Sequence, residues 1–299
     1  MRIEIGKSAN DDDLGDYGEF TLSIPDPLGC NDRGRLIREE RRSHPSHASC
    51  AVEIDLRRSE TVHPITSFSV DSQQSPCMAF VNRKHFRFAG LSMKTRRMVS
   101  GTGPNEFAAW KELETNPRWV DFDMQTARVA WQAEGEQASY LADVIAVDDA
   151  GQIYAWELKA DRSYYDAPEY EAVMRHAKVG FESACVALER HTGFQLRGSD
   201  RYRLNVDRAF GDRFTQIDPV TKCRVEEMLR GGATLTLGDI EEVLDADPLV
   251  ARAKTHALVC QRVISVSLSG VIDRETAVSS TVNPVTVPDI RLLRHENDN

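Results

Sequence analysis

Tyr140-Leu-Ala-Asp-Val-Ile-Ala-Val-Asp-Asp-Ala-Gly-Gln-Ile-Tyr-Ala-Trp-Glu-Leu-Lys159 is the stretch on which the reading of this chain turns. Residues 144–147 and 153–158 are runs of strand formers, and Asp148-Asp149-Ala150-Gly151 between them carries turn chemistry, so a β-hairpin is predicted. With a loop at 149–151, Asp148 pairs with Gln152 and Asp143 falls opposite Glu157. Glu157 and Lys159 lie two residues apart on one strand and therefore share a face with Asp143. The remaining positions are apolar on both faces, Ile145, Val147, Ile153 and Ala155 on one, Val144, Ala146, Tyr154, Trp156 and Leu158 on the other. That is the pattern of central strands, and it argues against a half-exposed hairpin whose Glu157 and Lys159 are merely solvated neighbours. Charge at the end of such a ribbon is costly unless a metal or a reaction uses it.

The trio fits phosphodiester chemistry. Magnesium, with manganese as a substitute, prefers carboxylate oxygens and keeps several waters. Two acidic side chains at a strand end can hold it while leaving positions for a phosphate and a nucleophilic water, whose acidity the metal raises. A lysine beside them can orient that water or offset charge developing on the phosphate. A further carboxylate lies upstream. Gly101-Thr-Gly-Pro-Asn-Glu-Phe-Ala-Ala-Trp-Lys-Glu-Leu113 is predicted to be a helix opening at Pro104, with Glu106, Trp110 and Leu113 along one stripe. Glu106 can equally serve as a first-turn glutamate facing the helix dipole. The order of elements favours the site: a helix with Glu106, strands over 119–125 and 128–132, a strand ending at Asp143, then a strand with Glu157-Leu-Lys159.

An Asp, a hairpin and a Glu-x-Lys pair resemble the core of the PD-(D/E)XK nuclease superfamily. Within it the chain is similar to the TnsA-type transposon endonucleases, over about residues 95–200 and more weakly beyond. The likeness rests on the glutamate helix, Trp119-Val-Asp-Phe-Asp123, Ala127-Arg-Val-Ala-Trp131, Tyr140-Leu-Ala-Asp143, Glu157-Leu-Lys159, a helix over 170–190 and a strand near 194–197. Ala142 stands where the superfamily often has proline, and the family tolerates other residues at the position of Glu157. The resemblance implies that Glu106, Asp143 and Glu157 bind metal and that Lys159 assists attack. It further implies a cut at the 5′ side of transposon ends in double-stranded DNA, beside a DDE-type transposase and an AAA-type ATPase regulator. The rival expectations are a stand-alone restriction or repair nuclease of the same fold, and a non-catalytic DNA- or protein-binding adaptor.

A net charge of −10, from 37 basic and 47 acidic side chains, is unusual for a protein that grips DNA unaided. The spread is uneven: residues 83–97 hold Arg83, Lys84, Arg87, Lys94, Arg96 and Arg97 and no acidic residue. These six are the candidate DNA-binding residues, with an ordinary solvated connector as the alternative. The six cysteines form no Cys-x-x-Cys pair, so a zinc site or a disulfide framework is not expected and a reducing cytoplasm is the expected setting. Cys185 and Cys260 are expected in the core, and His44 and His47 to be solvated. No stretch is apolar for long enough to cross a membrane.

The expected class is α/β, a restriction-endonuclease-like mixed sheet flanked by helices over 95–200, with a mainly α winged-helix domain over 201–283. Residues 1–77 lack a sustained hydrophobic period and are expected to form an irregular or disordered extension, with a short strand over 51–56; either Met78 is the natural beginning or the segment is a docking arm. Residues 78–94 form a basic connector and 284–299 a flexible tail. In the C-terminal half, helices are expected over 219–230, 237–244 and 249–261, then strands over 263–268 and 276–282. Its third helix offers DNA only Arg252 and Lys254, so protein docking is an equal expectation.

Overall fold

The computed structural model describes residues 64–70, 86–133, 136–231, 234–281 and 287–296. All of the described residues belong to one compact unit. Arg83, Lys84, the strand expected over 51–56, and the His44, His47, Cys30, Cys50 and Cys77 positions lie outside the described residues.

The hairpin forms in the expected register. β7 (Val144–Asp148) and β8 (Ile153–Lys159) pair antiparallel from Val144↔Trp156 to Val147↔Ile153. Asp148 N donates to the Gln152 carbonyl at 3.0 Å, and Gly151, with φ 80, takes the left-handed position the turn requires. The paired ladder ends at Val144↔Trp156 and does not reach the expected Asp143–Glu157 pair. Asp143 N donates instead to the Trp156 carbonyl at 3.0 Å, the same residue that pairs with Val144, so the regular register breaks at Asp143. β4 (Trp119–Met124) joins β7 antiparallel, and β9 (Val186–Thr192) joins β8 parallel, giving a mixed sheet in the order β4-β7-β8-β9.

Period-2 patterning decides what covers each face. Val144, Ala146, Trp156 and Leu158 pack with Phe122 and Met124 against Ala109, Trp110 and Leu113 of α1 (Pro104–Thr115). Ile145, Val147, Ile153 and Ala155 pack against Tyr170, Met174, Ala177 and Phe181 of α2 (Pro168–Ser183). Each Val, Leu, Ile, Phe or Met among them contributes about 1.5–3 kcal/mol when fully buried. A second, antiparallel sheet lies on α2. It has the order β13-β1-β5-β6, from β1 (Ile65–Val70), β5 (Ala127–Ala133), β6 (Glu136–Leu141) and β13 (Arg294–Glu296).

Several expectations are corrected here. Residues 65–70, read as part of an irregular extension, form β1, with Phe68 and Val70 each 2% exposed in the core. The tail is not wholly flexible either. Ile290 is fully buried, and β13 pairs with β1. Both segments are short and lean on partners far away in sequence, so neither shows a long local period. β5 leaves the hairpin's sheet. The helix expected over 170–190 ends at Ser183, because Cys185 (φ 58) turns the chain left-handed into β9; Cys185 is exposed rather than core. Residues 194–197 lie in a short helix, α3 (Gly193–Arg197), capped reciprocally by Thr192 and Gln195, instead of a strand. The expected boundary at 94/95 falls within a β-hairpin, β2 (Arg87–Leu91) with β3 (Met98–Thr102).

α4 (Asp200–Asp212), which the sequence pattern did not reveal, links the two halves. Its Phe210 ring lies 4.9 Å from Trp110 of α1, while Asn205 Nδ2 donates to the Leu268 and Gly270 carbonyls. Beyond it come α5 (Pro219–Arg230), β10 (Leu235–Thr236), α6 (Leu237–Leu244), α7 (Pro248–Cys260), β11 (Ile264–Ser265) and β12 (Ala277–Ser280). The three strands form a sheet in the order β10-β12-β11. Thr236 and Asp239 form a capping box at α6, which starts at Leu237 as expected. Cys260 is buried as expected. Among the described residues no helix is long and apolar enough to cross a membrane.

Starting the chain at Met78 removes β1. That form should unfold at lower urea than one starting at His63, and Phe68→Ala should cost about 3–5 kcal/mol, measured by equilibrium urea denaturation followed by circular dichroism.

Candidate functional site

The site lies where two strands change sheets. β4 belongs to the hairpin's sheet and β5 to the other, and β6 passes into β7 in the reverse sense. The two crossings are bonded together: Gln125 N donates to the Asp143 carbonyl at 3.0 Å, and Ala142 N to the Ala127 carbonyl at 2.9 Å. Gln125 adopts φ 55, a left-handed kink unusual for a residue with a side chain. Asp143 therefore stands in the gap between the sheets, its Oδ2 accepting from Leu158 N at 2.7 Å.

α1 aims Glu106 at the same gap. Its Oε2 accepts from Thr102 N at 2.8 Å and from Gln125 Nε2 at 2.9 Å, so Gln125 holds both carboxylate-bearing segments. A Cβ at position 101 would meet Glu106 Oε2 at 2.6 Å, and Gly101 thus makes the room for that carboxylate. Burial, and next the charge of Asp143, hold the Glu106 carboxyl well above its ordinary value, against the hydrogen bonds from Thr102 and Gln125. The helix start and the hairpin end are thus brought together, as the sequence order anticipated.

Glu157 and Lys159 are close by, but engaged with each other. Glu157 is 3% exposed; its Oε1 forms an ion pair with Lys159 Nζ and its Oε2 accepts from the Tyr140 hydroxyl. Lys159 Nζ also lies 5.3 Å from the centre of the Tyr170 ring. The Tyr165 hydroxyl donates towards the Glu157 and His191 carbonyls at 3.1 and 2.6 Å. Burial first, then the Glu157 charge, raise the pKa values of Tyr140, Tyr165 and Tyr170, so the three hydroxyls stay protonated. Sequence reading included Tyr140 within its motif but missed Gln125, Tyr165 and Tyr170. The one signal for the latter two was the aromatic run Tyr164-Tyr165 and Tyr170 just after the hairpin.

For a divalent cation, the donor set fits at two carboxylates. Glu106 and Asp143 raise each other's electrostatic cost, which a cation between them would relieve. Among the described residues, no group of three or more His, Cys, Asp or Glu side chains could share a metal ion. Glu157 joins the pair only by releasing Lys159 and Tyr140.

The basic stretch serves the fold more than a surface. Lys94 Nζ donates to the carbonyls of Leu113 and Asn116, the latter at 2.7 Å, and so caps the C-terminal end of α1. Burial pulls its pKa down to about 7. Its loop is pinned by fully buried Glu114, which accepts from Ser92 Oγ and Met93 N, both at 2.6 Å. Arg97 pairs with Asp121 at 2.5 Å and donates to the Phe122 carbonyl at 2.7 Å. Arg87 is half-buried in β2, and Arg96 is exposed in the hairpin turn with φ 59. On α7, Arg252 pairs with Glu241, and Lys254 with Asp245 at 2.7 Å, so the cations expected to read DNA are neutralised within their own half.

Comparison with protein-family models and with curated proteins finds no match.

Two titrations test this geometry. Folded Glu106 keeps its proton to higher pH than the unfolded chain does, so stability should fall as pH rises from the ordinary carboxylate range towards the raised value. Asp143→Asn should flatten that fall and bring the Glu106 titration down, read by carboxyl-carbon NMR and urea midpoints. Lys94 has the opposite sign. The unfolded chain keeps the proton up to 10.5 and the folded one only to about 7, so stability rises across that window, a gain Lys94→Met should abolish in pH-dependent urea melts.

Proposed function

We propose that this chain is a metal-dependent DNA endonuclease of the PD-(D/E)XK superfamily, TnsA-like, that cuts one strand at the 5′ side of transposon ends. The single observation that carries the reading is the approach of Glu106 and the Asp143 segment at the strand switch, where Gln125 bonds to both, with Lys159 two residues beyond Glu157 at the end of β8. The order helix, strand, hairpin, helix, strand around one mixed sheet supports a restriction-endonuclease-like core. The order helix, strand, helix, helix, strand, strand from α5 to β12 supports a winged-helix reading of the C-terminal half.

In this reading Glu106 and Asp143 hold the cation. Magnesium there supplies Lewis-acid polarisation of a phosphoryl oxygen and a more acidic bound water. Glu157 and Lys159 act as a coupled pair: when Glu157 turns to the carboxylates, the Lys159 ammonium is freed to orient the attacking water and offset charge on the phosphate. Tyr140, held protonated, donates to Glu157 in its resting position and sets where that carboxylate waits. Internal neutralisation of Arg97, Arg252 and Lys254, in a chain of net charge −10, supports dependence on partners for DNA delivery: a DDE-type transposase and an AAA-type ATPase regulator.

A second reading, a non-catalytic adaptor, is favoured by the closed Glu157–Lys159 pair. Strand-specific nicking of a transposon-end duplex with magnesium separates the two. The nuclease reading expects a nick that needs the transposase, and its loss in Lys159→Ala with the fold kept by circular dichroism. Cutting by the chain alone would mark a stand-alone nuclease. Undiminished function of Asp143→Ala, with no magnesium binding by calorimetry, would leave the adaptor.

A further inference from the structure

At the far end of α1, about 14 Å along the helix axis from Glu106, a cleft opens between the two halves of the molecule. Its volume is about 440 Å³, within the size range of small-ligand sites. Lys94, Lys222, Arg230 and Arg262 line it, with Glu226 as the one carboxylate and Gln261 beside them.

The cations have an obvious structural duty, because α1, α5 and α7 all end here and each helix C-terminus carries about half a negative charge. That duty does not exhaust them. Lys94, with its pKa pulled down to about 7 and with Glu112 and Glu114 near it, adds only part of a charge, and Asp149 acts on Arg262. The positive character of the cleft therefore rests on Lys222 and Arg230, against the lining carboxylate Glu226. Lys94 is fixed by the Leu113 and Asn116 carbonyls, and Arg262 Nε donates to the Pro117 carbonyl at 2.8 Å. Lys222 and Arg230 are different. Lys222 Nζ meets the uncharged Gln261 Oε1 at 3.1 Å, and Arg230 makes no ion pair among the described residues. Arg262, with φ 54, is the left-handed residue that ends α7: its N–H donates to the Val259 carbonyl at 3.0 Å and Val263 N to the Leu258 carbonyl at 2.9 Å. The Thr281 hydroxyl donates to the Arg262 carbonyl at 2.5 Å and fixes that backbone.

We propose that this cleft binds a phosphate group through Lys222 and Arg230, with Arg262 and Lys94 forming its floor. The group is either a backbone phosphate of a DNA strand or the phosphate of a free nucleotide. The inference does not rest on the catalytic reading, since the cleft shares no residue with the Glu106–Asp143 pair.

The test uses the full chain in chelator, without divalent ions, so that binding is read apart from cutting. Fluorescence anisotropy with a labelled duplex is followed over a salt series, and thermal melts are run with inorganic phosphate or a nucleoside triphosphate. The variants are Lys222→Ala/Arg230→Ala and, as a control for net charge on the same helix, Arg224→Ala, exposed and outside the cleft. If the source is DNA, the double variant binds more weakly and its log–log salt slope drops by about 0.9 per cation lost, while Arg224→Ala keeps its slope. If the source is a free nucleotide, phosphate or triphosphate raises the melting temperature of the parent but not of the double variant. A double variant indistinguishable from Arg224→Ala in both arms overturns the proposal. Should the double variant lose its fold, Lys222→Gln alone carries the same comparison.

Discussion

The hydrogen bond from Gln125 N to the Asp143 carbonyl fixes the point at which two strands leave one sheet for another, and the candidate site depends on it. A strand buried on both faces has little space for charge, so a carboxylate needs either a ladder end, as at Asp143, or partners of its own, as Glu157 has in Lys159 and Tyr140. Here two ladders end together. Asp143 gains a backbone donor from Leu158, and the kinked Gln125 offers its amide to Glu106. One residue thus aligns two segments that approach from different layers of the fold.

Electrostatics at this point run against stability. Glu106 is held above its ordinary pKa by burial and by Asp143, and Glu157 is buried with Lys159, a pair whose desolvation offsets much of its attraction. Apolar side chains of similar volume would pack there at lower cost. Perturbed buried carboxyls of this kind are the ground for the proposed cation site.

The C-terminal half relates to this centre through α1. Trp110 of α1 takes the Phe210 ring of α4, and Lys94 closes the other end of α1 on the border of the cationic cleft. A single helix therefore carries a carboxylate at its start and a positive cleft at its finish. Both ends obey the same dipole rule only in part: the cations belong at the C-terminal end, whereas Glu106 is drawn from the helix N-terminus towards Asp143 by Gln125.

The hairpin, its register up to Val144↔Trp156, both of its apolar faces and the helices α1, α5, α6 and α7 were legible in the sequence, because periods of 2 and 3.6, the turn residues Asp148 and Gly151 and the helix-start residues Pro104, Pro219, Thr236 and Pro248 are local. The register from Val147↔Ile153 to Val144↔Trp156 followed from turn length alone, whereas the break at Asp143 did not. What the sequence could not supply was decided by distant partners. β1 and β13 are strands because they complete a sheet across more than two hundred residues of chain, with β1 resting on α2 and Ile290 beside β13 in the same core. Lys94 and Arg97 read as a DNA arm, yet helix carbonyls and Asp121 claim them, since a buried helix end must be satisfied before a surface is charged. The sheet switch at Gln125 belongs to the same class: its left-handed kink has no glycine to announce it, and only tertiary packing holds it there.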